Sequence, residues 1–225
     1  MLTIDILTIF PGMFEAVVNE SILKRAQNKK KVRIRVHDLR KYTHDKHRKV
    51  DDRPFGGGPG MVLMPQPIFD AVRKIKGRRR VHVILTCAGG RTLSHRMTRR
   101  ISRHKNILII CGHYEGVDER VRRQMADESV SIGDYVLTGG ELPAMVLVDA
   151  VVRQIPGVLG KEESLADESF TSGLLEYPQY TRPANFRGHK VPPVLLSGHH
   201  DAIRRWRQQE ALRRTKKHRP DLLGT

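Results

Sequence analysis

Four short apolar runs, Leu2–Ile9, Val32–Val36, Val81–Thr86 and Ile107–Cys111, recur along the chain, each rich in Ile and Val. Between them lie segments whose apolar residues return at helical spacing, so the runs read as strands and the intervening segments as helices. The spacing predicts helices over Met13–Ala26, Pro65–Ile75, Ser94–Arg103, Val117–Met125 and Glu141–Arg153. A run such as Asn106-Ile-Leu-Ile-Ile-Cys111 shows no polar alternation, the pattern of a strand covered on both faces. Such strands alternating with helices imply an α/β domain built on a mostly parallel sheet.

The pattern changes after residue 157. The stretch 157–173 (GVLGKEESLADESFTSG) is poor in large apolar groups and rich in Gly, Ser and acids, the composition of a linker or mobile loop. Pro-rich irregular chain follows to Ser197. From Gly198 to Arg214, Ala202, Ile203, Trp206, Ala211 and Leu212 can line one helix stripe, with arginines elsewhere on the surface. The division is therefore a domain over 1–160, a flexible acidic linker over 161–173 and a small basic helical domain over 174–225.

Charge narrows the choice of partner. The 225 residues carry 41 Lys+Arg against 24 Asp+Glu, a formal charge of +17. Such an excess concentrates polyanions at the surface and favours binding by counterion release, which makes nucleic acid the leading partner over a merely solvated basic surface. The excess lies on both sides of the acidic stretch. The two cysteines, Cys87 and Cys111, each end an apolar run and read as packing residues of a reduced intracellular protein. No eighteen-residue apolar stretch occurs, and Met1–Phe10 carries Asp5 and no basic leader, so the expectation is a cytoplasmic protein with neither a membrane span nor a signal peptide.

Candidate chemistry lies in the loops that leave the strands, where open α/β sheets bind ligands. Three are rich in glycine: Thr86-Cys-Ala-Gly-Gly-Arg91, Cys111-Gly-His-Tyr-Glu-Gly116 and Ser131-Ile-Gly-Asp-Tyr-Val-Leu-Thr-Gly-Gly140. Each alone could be a tight turn. Together they suggest a nucleoside pocket, because glycine admits close backbone approach and bare N–H and C=O groups can read a base edge. Neither the lysine-bearing phosphate loop of the NTPases nor a dinucleotide G-x-G-x-x-G follows a strand, so the nucleoside need not carry a polyphosphate. The basic segment 42–52 and the following Arg53-Pro-Phe-Gly-Gly-Gly-Pro-Gly60 read as loop that could lie against RNA phosphate, or as a structural turn. The eleven histidines make no recognised metal spacing, so no metal site is expected, and Cys111 has no partner suited to thiol catalysis.

These loops and their surroundings resemble the bacterial tRNA (guanine-N1)-methyltransferase family, of the SPOUT class. The carriers are Ile9-Phe-Pro-Gly-Met13, Thr43-His-Asp-Lys-His47, Val50-Asp-Asp-Arg-Pro-Phe-Gly-Gly-Gly-Pro-Gly-Met61, Tyr114-Glu-Gly-Val-Asp-Glu-Arg-Val121, the stretch Ser131–Met145, Pro156-Gly-Val-Leu-Gly160, Tyr180-Thr-Arg-Pro183 and Val194-Leu-Leu-Ser-Gly198. Motifs of that length, in one order over nearly the whole chain, are specific. The resemblance implies methyl transfer from S-adenosyl-L-methionine to N1 of the guanine at position 37 of tRNA, next to the anticodon. It implies a sheet whose chain passes through itself as a deep trefoil knot, which threading statistics would not suggest. It also implies a homodimer with active sites at the subunit interface, and a Mg²⁺ dependence for which the sequence shows no dedicated carboxylate cage.

The cofactor residues implied are Leu85, Thr86 and Cys87 in the first loop and Gly112, Tyr114, Glu115 and Gly116 in the second. The third supplies Ser131, Ile132, Gly133, Asp134, Tyr135, Val136, Leu137, Gly139 and Gly140, with Pro143 beyond it. Methylation at N1 requires removal of its proton, stabilisation of negative charge on O6 and alignment with the methyl–sulfur bond. The resemblance assigns the base to Glu168, with Asp167 as rival, and the cation to Arg153. Three departures from the family pattern stand out: His113 in place of the usual Arg, Cys87-Ala-Gly-Gly90 in place of a common Pro-Gln-Gly, and Glu168 in place of Asp. Two other readings stay open on the residues alone, a knotted methyltransferase acting on ribosomal RNA or ribose, and a basic RNA-binding protein without catalysis.

Overall fold

The computed structural model describes residues 1–159 and 168–224. The chain forms two compact units, Met1–Gly160 and Lys161–Thr225. Asp167, the rival base, lies outside the described residues.

The first unit is a five-stranded sheet of β1 (Leu2–Thr8), β2 (Val32–Asp38), β5 (His82–Thr92), β6 (Asn106–Cys111) and β7 (Glu128–Ser131), in the order β2-β1-β6-β5-β7. Every pairing in it is parallel. The fully covered strands occupy the middle: all seven residues of β1, Thr3, Asp5 and Thr8 among them, and five of the six of β6 are buried, whereas edge strand β2 alternates before its end turns half-exposed. Covered strands need apolar residues on both faces, and two core clusters lie accordingly on opposite sides, one including Ile4, Ile6, Ile107 and Ile109, the other Leu7, Leu108, Ile110 and Val83.

Helices α3 (Pro65–Lys76), α4 (His95–Ile101), α5 (Glu119–Gln124) and α6 (Glu141–Val152) fall where the periodicity places them, α3 one residue longer and the others with trimmed ends. The trimming has local causes: Ser94 caps α4 by accepting from Met97 N, and Asp118 caps α5 by accepting from Arg120 N. The helix expected over Met13–Ala26 is broken. A 3-10 turn at Pro11–Phe14 runs into a single turn, α1 (Glu15–Val18), and α2 (Ser21–Asn28) starts afresh. The Gln27 amide donates to Val18 O at 2.7 Å, satisfying a carbonyl that the break releases. The basic loop expected over 42–60 contains a two-residue strand, β3 (Asp51–Asp52), paired antiparallel with β4 (Val62–Leu63).

The second unit contains a small hairpin of β8 (Asn185–Phe186) and β9 (His189–Lys190) and one long helix, α7 (His200–His218). The expected stripe on α7 needs one correction. Ala211 and Thr215 are buried, but Leu212 is exposed, because it lies about 100° around the helix from Ala211, on the side away from Trp206 and Glu210. Thr215 replaces it, its hydroxyl donating to Ala211 O at 2.7 Å and accepting from Leu175 N at 2.9 Å.

Candidate active site

Strands β6, β5 and β7 are neighbours, and the three glycine-rich loops leave their carboxyl ends side by side. In the first loop the register of β5 against β7 jumps from Thr86↔Val130 to Arg91↔Val130, so residues 87–90 are extruded as a bulge. Gly90 makes the return possible: a Cβ there would lie 2.5 Å from Val130 N. The second and third loops are stitched together by a His113↔Gly139 bridge and by Gly140 N donating to Gly112 O at 2.7 Å. The Thr86 hydroxyl lies within donating distance of Gly140 O, 3.1 Å, and Ile110 O, 3.2 Å, pinning all three loops at one buried point. No side chain fits at Gly140, where a Cβ would stand 2.7 Å from Gly112 N and 3.0 Å from Cys111 Cα. The far side of the second loop is tied to the end of the glycine-rich 53–60 segment, with Glu115 N donating to Met61 O and Leu63 N to Gly116 O, both at 3.0 Å.

These loops enclose a half-open cleft of about 200 Å³. All the expected cofactor residues line it except Gly133 and Asp134. Gly133 is a turning point: at φ +154 it is hydrogen-bonded to the Ser131 hydroxyl through both N, 3.2 Å, and O, 2.9 Å, and a Cβ would strike the Tyr135 ring. Five lining residues are not among the expected cofactor residues: Ala88, His113, Val117, Val130 and Thr138. Ala88, His113 and Thr138 sit inside the glycine-rich loops, which was signal enough, whereas Val117 and Val130 carried none. The walls are backbone and apolar side chain; among the described lining residues Glu115 is the only carboxylate, and Lys and Arg do not occur. Val136 is 84% exposed and Tyr135 55%, an unusual display of apolar surface at a cleft mouth.

Behind the cleft Glu141, the first residue of α6, is 2% exposed. Its carboxylate accepts from the Thr8 hydroxyl at 2.7 Å and lies 3.7 Å from Nδ1 of His113, which has no hydrogen-bond partner among the described residues. The His113 ring stands edge-on to Phe10 and Tyr114, centroids 5.0 and 4.8 Å away. Burial, reinforced by the Glu141 charge, pushes the Cys111 thiol well above its usual range, so this cysteine packs and does not attack. Cys87 is half-buried at the cleft.

The expected catalytic residues belong to different units. Arg153 caps the carboxyl end of α6, its backbone N donating to Asp149 O at 3.1 Å. Glu168 opens a turn in the second unit, where its carbonyl accepts from Thr171 N at 3.2 Å and Phe170 N donates to Leu174 O at 2.8 Å.

A family model described as tRNA (Guanine-1)-methyltransferase TrmD matches residues 2–225. The chain belongs to that family. Curated relatives agree: a tRNA (guanine-N(1)-)-methyltransferase of Geobacillus kaustophilus is 58% identical over 221 residues, covering 98% of this chain and 91% of its own. Proteins of the same name from Anoxybacillus flavithermus, 56% identical over 224 residues, and Dictyoglomus turgidum, 57% over 223, cover 99% of this chain and 91% and 90% of theirs.

Proposed function

We propose that the protein transfers a methyl group from S-adenosyl-L-methionine to N1 of guanine in tRNA, at position 37 next to the anticodon. The observation that carries this reading is the cleft where three glycine-bearing loops meet at the ends of β6, β5 and β7, in a chain that matches the family from residue 2 to residue 225. The residues present fit the cofactor. The backbone of the three glycine-bearing loops that line the cleft can offer N–H and C=O groups to an adenine edge, and the apolar lining suits its faces. Glu115 supplies a negative charge toward the cationic sulfonium. When bound, S-adenosyl-L-methionine supplies an electrophilic methyl group.

The remaining chemistry belongs to the chain. A guanine held in its stack cannot present N1, so the base leaves the stack and is positioned against the cleft. Glu168 accepts the N1 proton, and Arg153 stabilises the negative charge that builds on O6. Asp167 is the alternative base.

The fold is the trefoil-knotted form of the class, a reading that rests on the family match. The protein acts as a homodimer with shared active sites. Supporting this, the exposed face of α6 shows Leu142 and Val146 beside Asp149, and the helix packs beside the Pro11–Phe14 turn, where Met13 is exposed. A Mg²⁺ dependence comes from the family likeness alone. The setting is cytoplasmic; among the described residues no helix is long and apolar enough to cross a membrane.

Isothermal titration with S-adenosyl-L-methionine separates this enzyme from an RNA-binding protein without catalysis, which would give no heat of binding. Single-turnover methyl transfer in Glu168→Gln, Glu168→Asp and Asp167→Asn then assigns the base. Glu168→Gln should be slow and the other two active, and a slow Asp167→Asn beside an active Glu168→Gln would reverse the assignment.

A further inference from the structure

The second unit contains a cavity of about 400 Å³ that none of this chemistry uses. Three aromatic rings face it, from Tyr177, Tyr180 and Trp206. The Tyr180 and Trp206 rings have centroids 6.4 Å apart and are tilted 51° to each other, a wedge and not a closed stack. Arg207 places its guanidinium 4.7 Å over the Tyr177 ring, and Arg182 also lines the cavity. Tyr180 is 50% exposed and Leu196, at the wall, 62%. Aromatic clusters in a small domain ordinarily form its core, and a core would close on itself. These rings are splayed and half-open, and among the described residues no acidic one lines them. The charge of the surrounding chain fits a polyanion, with eleven Lys+Arg against three Asp+Glu over residues 177–225.

We infer that this cavity takes one unstacked nucleotide of the tRNA substrate, its base stacked on the Tyr180–Trp206 wedge and its phosphate held by Arg182 and Arg207. Stacking on rings of this kind accepts any base because every base has a π-face, while guanidinium groups pair with phosphate oxygens in fork geometry. Only a nucleotide outside a helix can enter, so the cavity reads a place where the RNA is unpaired and not a sequence. The inference rests on tRNA being the substrate.

Trp206 is the only tryptophan in the chain, so its emission reports the cavity directly. The full-length protein is titrated with an unmodified tRNA transcript and, separately, with a fully paired RNA duplex. The transcript should quench Trp206, and the duplex should not. Tyr180→Ala should weaken transcript binding by about 5- to 150-fold, the range of one base–aromatic stack, while Tyr180→Phe retains it and both variants keep the parent affinity for S-adenosyl-L-methionine. Emission unmoved at RNA saturation, equal quenching by the duplex, or an unchanged affinity in Tyr180→Ala would overturn the inference. Methyl transfer to the same transcript tests the substrate reading separately. Transfer with a silent Trp206 defeats the cavity alone, and quenching without transfer defeats the methyltransferase reading alone.

Discussion

The cleft of the first unit and the cavity of the second are built by opposite means. The cleft is made of backbone: its working surface exists because residues 90, 139 and 140 have no side chain, and each loop could not otherwise approach its neighbour. The cavity is made of side chains, three rings and two guanidinium groups projecting from an irregular segment and one helix. A backbone site is damaged by adding atoms and a side-chain site by removing them. The two should therefore respond to mutation with opposite signs of volume change.

The largest effect belongs to addition at the tightest point. Gly140→Val should leave no measurable binding of S-adenosyl-L-methionine by calorimetry in a protein that retains its far-UV signature, since the new atoms would meet Gly112 N and Cys111 Cα. Undiminished affinity in the folded variant would remove the cleft from cofactor recognition. Arg153→Ala removes a preorganised cation and should lower the single-turnover rate by roughly 10² to 10³ at saturating RNA. A rise confined to KM for tRNA would make Arg153 a binding residue instead. Glu168→Gln should cost about 10² in the same assay, with cofactor and tRNA affinity near normal. Gly112→Ala sharpens the contrast with Gly140, because a Cβ at residue 112 stands 3.4 Å from Thr86 O, an ordinary contact, and cofactor affinity should fall by less than about tenfold.

The smallest effect is confined to acid. Asp5 is fully buried in β1; burial alone would raise its pKa, but hydrogen bonds from His37 at 2.7 Å and Arg35 at 2.7 and 2.9 Å reverse that and hold it below the usual carboxylate range. A carboxyl with a lowered folded-state pKa contributes stability that is present above its unfolded value, near 4, and is lost as pH falls through the folded one. Thermal melts should therefore show the parent losing stability below about pH 4 more steeply than Asp5→Asn. Parallel curves would show that Asp5 is not linked to acid unfolding.

The same contrast explains what was legible in the sequence. Strands announce themselves through closely spaced Ile, Leu and Val, unbroken in β6 and alternating with polar residues in β2, and glycine-rich loops mark the cleft, so β1, β2, β5, β6 and most of the lining could be read directly. Strand β7 could not: Glu128-Ser-Val-Ser131 is short and mostly polar, and at the sheet edge it pairs only with β5. The break at Asn19–Glu20 was hidden because the apolar residues on its two sides keep helical spacing. Glu141 gave no sign of burial either, since its partner Thr8 lies 133 residues away and a glutamate opening a helix normally faces water. His113 showed only as a departure from the family pattern, although its ring packs the cleft's rear wall. Catalytic roles were not legible from composition, because Glu168 and Asp167 look like any solvated linker acids without the motif around them.

The central claim is methyl transfer to guanine N1, and the most direct measurement is to incubate the protein with S-adenosyl-L-methionine labelled in its methyl group and an unmodified tRNA transcript, then digest the RNA and map the labelled nucleotide. The account predicts one labelled nucleoside, 1-methylguanosine, at position 37, and no label in a transcript whose guanine there is replaced by adenine. Label on a ribose, on another base, or undiminished after that replacement would contradict it.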